Sequence, residues 1–331
     1  MRVNTAITTR LAGAQSPLRG VFRISELAVG VAVVVAFVVF AARDRSMTEP
    51  VNVMGILARS SSIGFAVLGM SVLMLAGEVD LSVGVAAVYA TVVFNTLEGQ
   101  GWPEAPSMLG TLLVLLLIGW LNSVLVLEVR LPSFLATLCT NFILGGLLYF
   151  IPFNWWGGPQ ISFGWLGTSS PLPGVPWIFI VFAGVVLLGD QVVRRSRLGA
   201  ALYATGANPR AAEIVGIDTR RVKMLCFMFT SVCGGLASLA FAATIGTSMV
   251  GDLPYLWVIA IALIGGCSLA GGVGSLLGGF LGTLLLMVIR TGLGATNLSA
   301  NAQAIMVSGI LIAAILLEAA RRKGKNGYQT S

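Results

Sequence analysis

Gly206-Ala207-Asn208-Pro209-Arg210-Ala211-Ala212-Glu213-Ile214-Val215-Gly216-Ile217-Asp218 decides how this chain is read. The stretch has the punctuation of a short helix. Asn208 suits an N-cap, because its side-chain oxygen can accept a bond from a free backbone N–H. Pro209 suits the first helical position, where no N–H is needed and φ is already set. Ala211, Ala212, Glu213 and Ile214 are acceptable to strong helix formers. Gly216 suits the residue that reverses the chain after the last turn. Basic residues bracket the stretch: Arg194, Arg195 and Arg197 before it, Arg220, Arg221 and Lys223 after it. Residues 194–223 form the longest polar segment in a chain that is otherwise almost all apolar. A short helix is therefore expected outside the lipid, anchored on both sides by membrane segments and presented to a partner.

Working outward, 56% of the 331 residues are hydrophobic and 10% are charged. A soluble domain is about a quarter charged. Several apolar runs reach the roughly 20 residues needed to cross a bilayer. No soluble half is visible, so one membrane domain is expected over 24–320, with a basic leader, 1–23, and a basic tail, 321–331. The leader lacks a small-residue cleavage site after a short apolar core and is not read as a removable signal peptide. The excess of Lys and Arg sits in loops and termini on alternate sides of apolar runs. That is a topology signal rather than a nucleic-acid footprint.

The apolar runs predict an all-α polytopic membrane protein of about ten spans, with eight as the alternative count. They lie at roughly 24–42, 60–76, a third ending near Leu97, 107–128, 133–151, 177–193, 223–245, 254–270, 273–290 and 300–318. Residues 51–60 read as an amphipathic lead-in to the second. Trp155, Trp156, Trp165 and Trp177 read as an interfacial belt. Ten spans put both termini on one side. That side holds four basic residues in the leader, Arg130, seven in 194–223 and four in the tail. The other side holds Arg43, Arg45, Arg59 and Arg290. The positive-inside rule then places both termini and the short helix in the cytoplasm.

The chain has no histidine, which excludes histidine acid–base chemistry and histidine metal ligands. Cys139, Cys226, Cys233 and Cys267 are scattered through apolar segments and read as small buried side chains. No disulfide framework or metal site is expected. No Gly-x-x-x-x-Gly-Lys-Ser/Thr pattern occurs, so no P-loop ATPase is carried here.

Glu78 and Asp80 read as the only acids flanked on both sides by membrane sequence. A charge at bilayer depth costs about 2.5–3.5 kcal/mol. Either the pair lines a polar cavity or gate with Ser82, or Asp80 is the N-cap of the next helix. Acids two apart point to opposite faces of a helix, which argues against paired acid–base catalysis. Asn141 is the preferred pore candidate, because an amide can serve a hydroxylated solute. Asn122, Thr137, Thr140 and Ser231 read as bridges between helices. The glycines of 265–279 read as helix-packing residues that let backbones approach. Gly271, Gly272, Gly274, Gly278 and Gly282 belong to this group, with Gly278 and Gly282 spaced as a packing pair. Gly77 and Gly84 are assigned the same role.

Three motifs then join up. Gly77-Glu-Val-Asp-Leu-Ser-Val-Gly84 closely resembles the "GGIDLSVG" signature of permease subunits from bacterial ribose, xylose and galactose ABC importers. Gly206 to Ile217 looks like their cytoplasmic loop, and Ile264 to Gly274 resembles their late glycine-rich segment. The resemblance covers about residues 50–320. Glu78 departs from it, standing where the family usually has glycine.

The resemblance implies a permease of the bacterial inner membrane that moves a monosaccharide or related polyol. It implies two permease chains, identical or related, with two ATP-binding subunits and a periplasmic sugar-binding protein. Membrane lipid surrounds the pore. ATP would be bound by the partner, so this chain holds no cofactor and is no enzyme. Asn208, Pro209, Arg210, Ala211, Ala212, Glu213 and Gly216 would form the coupling helix, seated in a groove of the ATPase. An ion-coupled transporter or channel using Glu78 and Asp80 is the alternative. An intramembrane enzyme has least support, for want of histidine, a metal cluster or a nucleophile arrangement.

Overall fold

The computed structural model describes residues 16–151, 162–245 and 255–295, and single positions between 299 and 316. Among these residues there are twelve α-helices and one isolated β-bridge, between Leu172 and Val175. The helices are α1 (Ser16–Arg43), α2 (Pro50–Leu75), α3 (Val83–Gly99), α4 (Glu104–Leu127), α5 (Ser133–Leu148) and α6 (Trp165–Thr168). They continue with α7 (Trp177–Arg195), α8 (Arg197–Ala207), α9 (Pro209–Ile214), α10 (Thr219–Ile245), α11 (Tyr255–Ile264) and α12 (Leu276–Gly294). Six are long and apolar enough to cross a membrane: α1 over Glu26–Arg43, α2, α4, α7, α10 and α12. Helices α3, α5 and α11 are apolar but shorter. The all-α, polytopic class expected from the apolar runs is what is found.

Three boundaries differ from expectation. Residues 51–60 are no separate lead-in. Pro50 opens α2 at its first turn and the helix runs unbroken to Leu75. Ser60, Ser61 and Ser62 do not interrupt it, because their hydroxyls donate to the carbonyls of Ile56, Leu57 and Ala58 one turn back. The eighth expected span is only the ten residues of α11, about 15 Å of helix. Positive φ at Gly266, Gly271, Gly272 and Gly274 turns the chain before α12 begins. The helix α1 starts at Ser16, so the end of the basic leader is helical. The rest of the leader, Trp155, Trp156, the tail and most of the tenth expected span lie outside the described residues.

The centre is α10 packed on α2, α3 and α4. Small residues make the approach close. A methyl group on Gly69 would stand 2.9 Å from Thr230 Cα, and one on Gly119 2.5 Å from Met228 Cα. Most of α2 is buried, as expected of a helix apolar on every side. At its flank Phe65, Phe182 and Phe280 form an aromatic cluster, with ring centroids 5.1 and 5.5 Å apart. Helices α1 and α5 are peripheral. Val31, Val34, Val35 and Val38 of α1 and Phe134, Phe142 and Ile143 of α5 face outward, as lipid-facing side chains do.

Candidate functional site

The short helix is built as its sequence requires. Asn208 is extended, with φ −158° and ψ 95°, and its Oδ1 accepts from Ala211 N at 3.1 Å. Pro209 occupies the first turn of the six-residue α9. Gly216 takes φ +86°. Its N–H donates to Glu213 O, and that of Ile217 donates to Ala212 O, both at 3.0 Å. Ala212 is buried, whereas Arg210 and Ala211 are exposed. Ile214 and Val215 are 86% and 74% exposed. Glu213 ties α9 to the next helix, its Oε1 accepting from Thr219 Oγ1 at 2.6 Å. Asp218 caps α10 by accepting from Arg221 N at 3.0 Å. The loop is thus fastened at both ends, with two large apolar side chains left in the open.

Directly before α9 the main chain enters a crowded junction. Gly272 N–H donates to Leu75 O at 3.0 Å. A methyl group on Gly206 would run into Leu75 O and stand 2.5 Å from Gly272 N. One on Gly271 would stand 2.6 Å from Gly206 O and 2.7 Å from Gly77 Cα. Gly77, Gly271, Gly272 and Gly274 have φ of +83°, +81°, +68° and +145°. These four glycines are turn residues, not residues of helix faces, because only glycine adopts such φ at little cost. Tyr203 of α8 adds a bond from its hydroxyl to Gly274 O at 2.8 Å. Gly278 and Gly282 do sit on a helix. Methyl groups there would run into Gly265 O and approach Ile261 O to 2.8 Å, where α12 crosses α11. Gly84 is buried in the first turn of α3.

The connection 76–82 between α2 and α3 is held from several sides. Val79 N donates to Ser133 Oγ at 3.4 Å and Leu81 N to Thr137 Oγ1 at 3.0 Å, both acceptors on α5. Asp80 is fully buried, and its Oδ1 accepts from Ser82 N and Ser82 Oγ at 2.7 and 2.6 Å. Asn122 of α4 donates to Ser82 Oγ at 2.7 Å. Ser82, not Asp80, therefore holds the N-cap position of α3, and Asp80 closes a turn just before it. Glu78 points elsewhere and accepts from Lys223 of α10 at 2.6 Å. Asn141 is half-buried one turn beyond Thr137 on α5, outside this set of contacts.

Two further acids belong near this end, and sequence reasoning missed them. Glu26 of α1 and Asp190 of α7 are buried and both pair with Arg194. Asp190 also accepts from Leu277 N of α12 at 3.3 Å. Glu78 and Asp80 are thus not the only acids set in apolar sequence. The four-residue spacing of Asp190 and Arg194 was a usable signal; Glu26, 168 positions away from its partner, offered none.

The three stretches brought together here fall within one matched region: residues 52–316 fit a family model described as branched-chain amino acid transport system / permease component. The chain belongs to this family of ABC importer permeases. The permease is similar to the ribose import permease protein RbsC of Escherichia coli (strain K12), 28% identical over 281 residues, 81% of this chain and 85% of that one. It is similar to the xylose/arabinose import permease protein XylH of Sulfolobus acidocaldarius, 31% identical over 287 residues, 82% and 78% of the two chains. A probable ABC transporter permease protein, YphD of Escherichia coli (strain K12), is 29% identical over 301 residues, 88% and 89% of the two chains. No solved structure matches. A permease of this family is a multi-pass inner-membrane protein with no ATPase domain and no cofactor of its own, and it works with ATP-binding and solute-binding partners.

At the opposite end of α2 and α12 the permease has a different surface. A pocket of about 440 Å³ is lined by Asp44, Ser46, Asn52, Arg59, Arg290 and Thr291 among others. Arg290 lies over the Trp257 ring, 5.2 Å from its centroid. Asp44 is engaged by Ser46 N at 2.9 Å. Among the described residues neither Arg59 nor Arg290 pairs with a carboxylate.

Proposed function

We propose that this permease is the pore-forming subunit of an importer for a monosaccharide or related polyol, driven by ATP hydrolysed on a separate subunit. Support for the solute class comes from relatives named for ribose and for xylose or arabinose. The observation that carries the coupling role is the capped, fastened α9 displaying Ile214 and Val215 beside the glycine junction. A rigid helix with exposed apolar side chains transmits displacement of a partner, whereas a floppy loop would absorb it. Here α9 is the coupling helix, with Asn208, Pro209, Arg210, Ala211, Ala212, Glu213 and Gly216 forming or framing it.

In this reading residues 24–320 form one membrane domain with both termini in the cytoplasm, because the basic end is the inner end. Two permease chains enclose the pore within the lipid, with Asp80, Ser82 and Asn141 as pore or gate residues. The solute-binding protein meets the outer end, where Arg59 and Arg290 border the polar pocket. ATP closes the ATPase pair and the two permeases rock as rigid bodies between inward and outward arrangements. Ion-coupled transport through Glu78 and Asp80 is less well supported. Lys223 already occupies Glu78, and Oδ1 of Asp80 is taken up by the Ser82 turn.

The test is reconstitution with the ATP-binding subunit and the binding protein. Glu213→Lys or Gly216→Pro should leave the permease inserted while sugar uptake is uncoupled from ATP hydrolysis. Undiminished sugar accumulation in such a variant at normal expression would overturn the assignment, as would uphill uptake by the permease alone.

A further inference from the structure

We propose that the Glu78–Lys223 ion pair is a strap that carries movement of α9 into the connection at the foot of α3, making both residues positioning residues of the transport cycle. The proposal rests on the coupling role of α9. It begins with a run of contacts. Glu213 of α9 accepts from Thr219, the first residue of α10, at 2.6 Å. Thr219 and Lys223 are four residues apart and so lie on one face of α10, a single turn from each other. Lys223 Nζ reaches Glu78 Oε1 at 2.6 Å. Glu78 follows Gly77, against which Gly206 and Gly271 pack by main chain, and precedes Val79, whose N–H is held by Ser133. The last link is Asp80 and Ser82 at the start of α3. A displacement of α9 thus has a continuous route to α3, through side chains at Glu213–Thr219 and Lys223–Glu78 and through the main chain of α10 and of residues 78–80 between them.

The pair is also suited to bear load. The side chains of Lys223 and Glu78 are only 17% and 14% exposed, against 80% and 51% for the Arg221–Asp218 pair nearby. Shielded charges are less screened by solvent and salt than exposed ones. Removing one partner leaves an uncompensated shielded charge, so the pair holds or fails as a unit. In the signature that residues 77–84 resemble, position 78 is glycine, which has no side chain to reach Lys223. The strap is therefore a feature this chain adds to the glycine junction.

The experiment uses the whole importer in proteoliposomes, reading solute taken up per ATP hydrolysed alongside the melting temperature of each complex. Glu78→Gln and Lys223→Gln should each lower uptake per ATP by about fivefold or more, the lower range of measured couplings between sites, while hydrolysis continues. In the double neutral variant the second substitution should add less than about twofold, because non-additivity is the mark of a shared contact. The exchanged pair, Glu78→Lys with Lys223→Glu, should recover most of the loss. Singles that keep parental uptake per ATP, or effects that simply multiply in the double variant, would overturn the strap. A loss accounted for wholly by a lowered melting temperature would also overturn it. If Gly216→Pro uncouples transport and Glu78→Gln does not, the strap alone fails; if neither does, the coupling role of α9 fails with it.

Discussion

The two ends of the permease treat charge and space in opposite ways. At the basic end Arg194, Arg220, Arg221 and Lys223 each have an acid beside them. There the main chains at Gly77, Gly206, Gly271 and Gly272 leave no room for a methyl group on Gly206 or Gly271. At the other end Arg59 and Arg290 border an open polar pocket whose one carboxylate is Asp44, and among the described residues neither arginine pairs with an acid. Paired charges and backbone-to-backbone contact make an end that moves as one piece. Cations in excess around a concave surface make a field that draws in an acidic partner and orients it. The first end suits the transmission of force, the second suits reception.

The contrast can be broken most directly at Gly206. Gly206→Leu forces a side chain into Leu75 O and Gly272 N. Overpacking a filled core costs about 1–3 kcal/mol, and main chain yields less readily than side chains. Little folded protein should survive extraction, and a single sharp elution peak at the parental position would show that the junction is not rigid. At the other end Arg59→Glu with Arg290→Glu should leave the protein folded, with only the small drop in melting temperature expected from losing the exposed cation–π contact at Trp257. It should weaken stimulation of ATP hydrolysis by the binding protein about tenfold and flatten its salt dependence. Unchanged stimulation would remove the receptive role from that pocket.

Smaller changes sharpen the picture. Asn208→Ala removes the cap of α9, worth about 1 kcal/mol, so the Ala211 amide should exchange with solvent about fivefold faster while the junction glycines keep their protection. Asp44→Asn deletes the one carboxylate bordering that pocket while keeping an acceptor for Ser46 N. A rim charge of this kind should tighten association with the binding protein by about twofold, mainly through the on-rate.

What could be read in advance was local. The cap at Asn208, the proline after it and the reversal at Gly216 lie within nine residues, and each needs only its own neighbours to act. Apolar run length likewise located α4, α7, α10 and α12. Hydropathy could not show that α11 stops at Ile264, since the stop comes from backbone angles at glycines beyond it. Nor could it separate glycines that turn the chain at 77 and 271–274 from those that pack helices at 278 and 282. The ion pairs were the least legible. Glu78 and Lys223 are 145 positions apart, and no periodicity links residues that meet only after the helices have packed. Glu78 was visible as a departure from a pattern, but its partner was not.

One consequence of the glycine junction concerns hybrids. The three strands of chain meeting at Leu75–Gly77, Gly206 and Gly271–Gly272 touch through peptide groups rather than through side chains. A mismatch of half an ångström in one strand of such a seam cannot be absorbed by a rotamer in another. A chimaera that borrows any one of these segments from a relative inherits a misfit. Only a transplant of all three together keeps the seam closed.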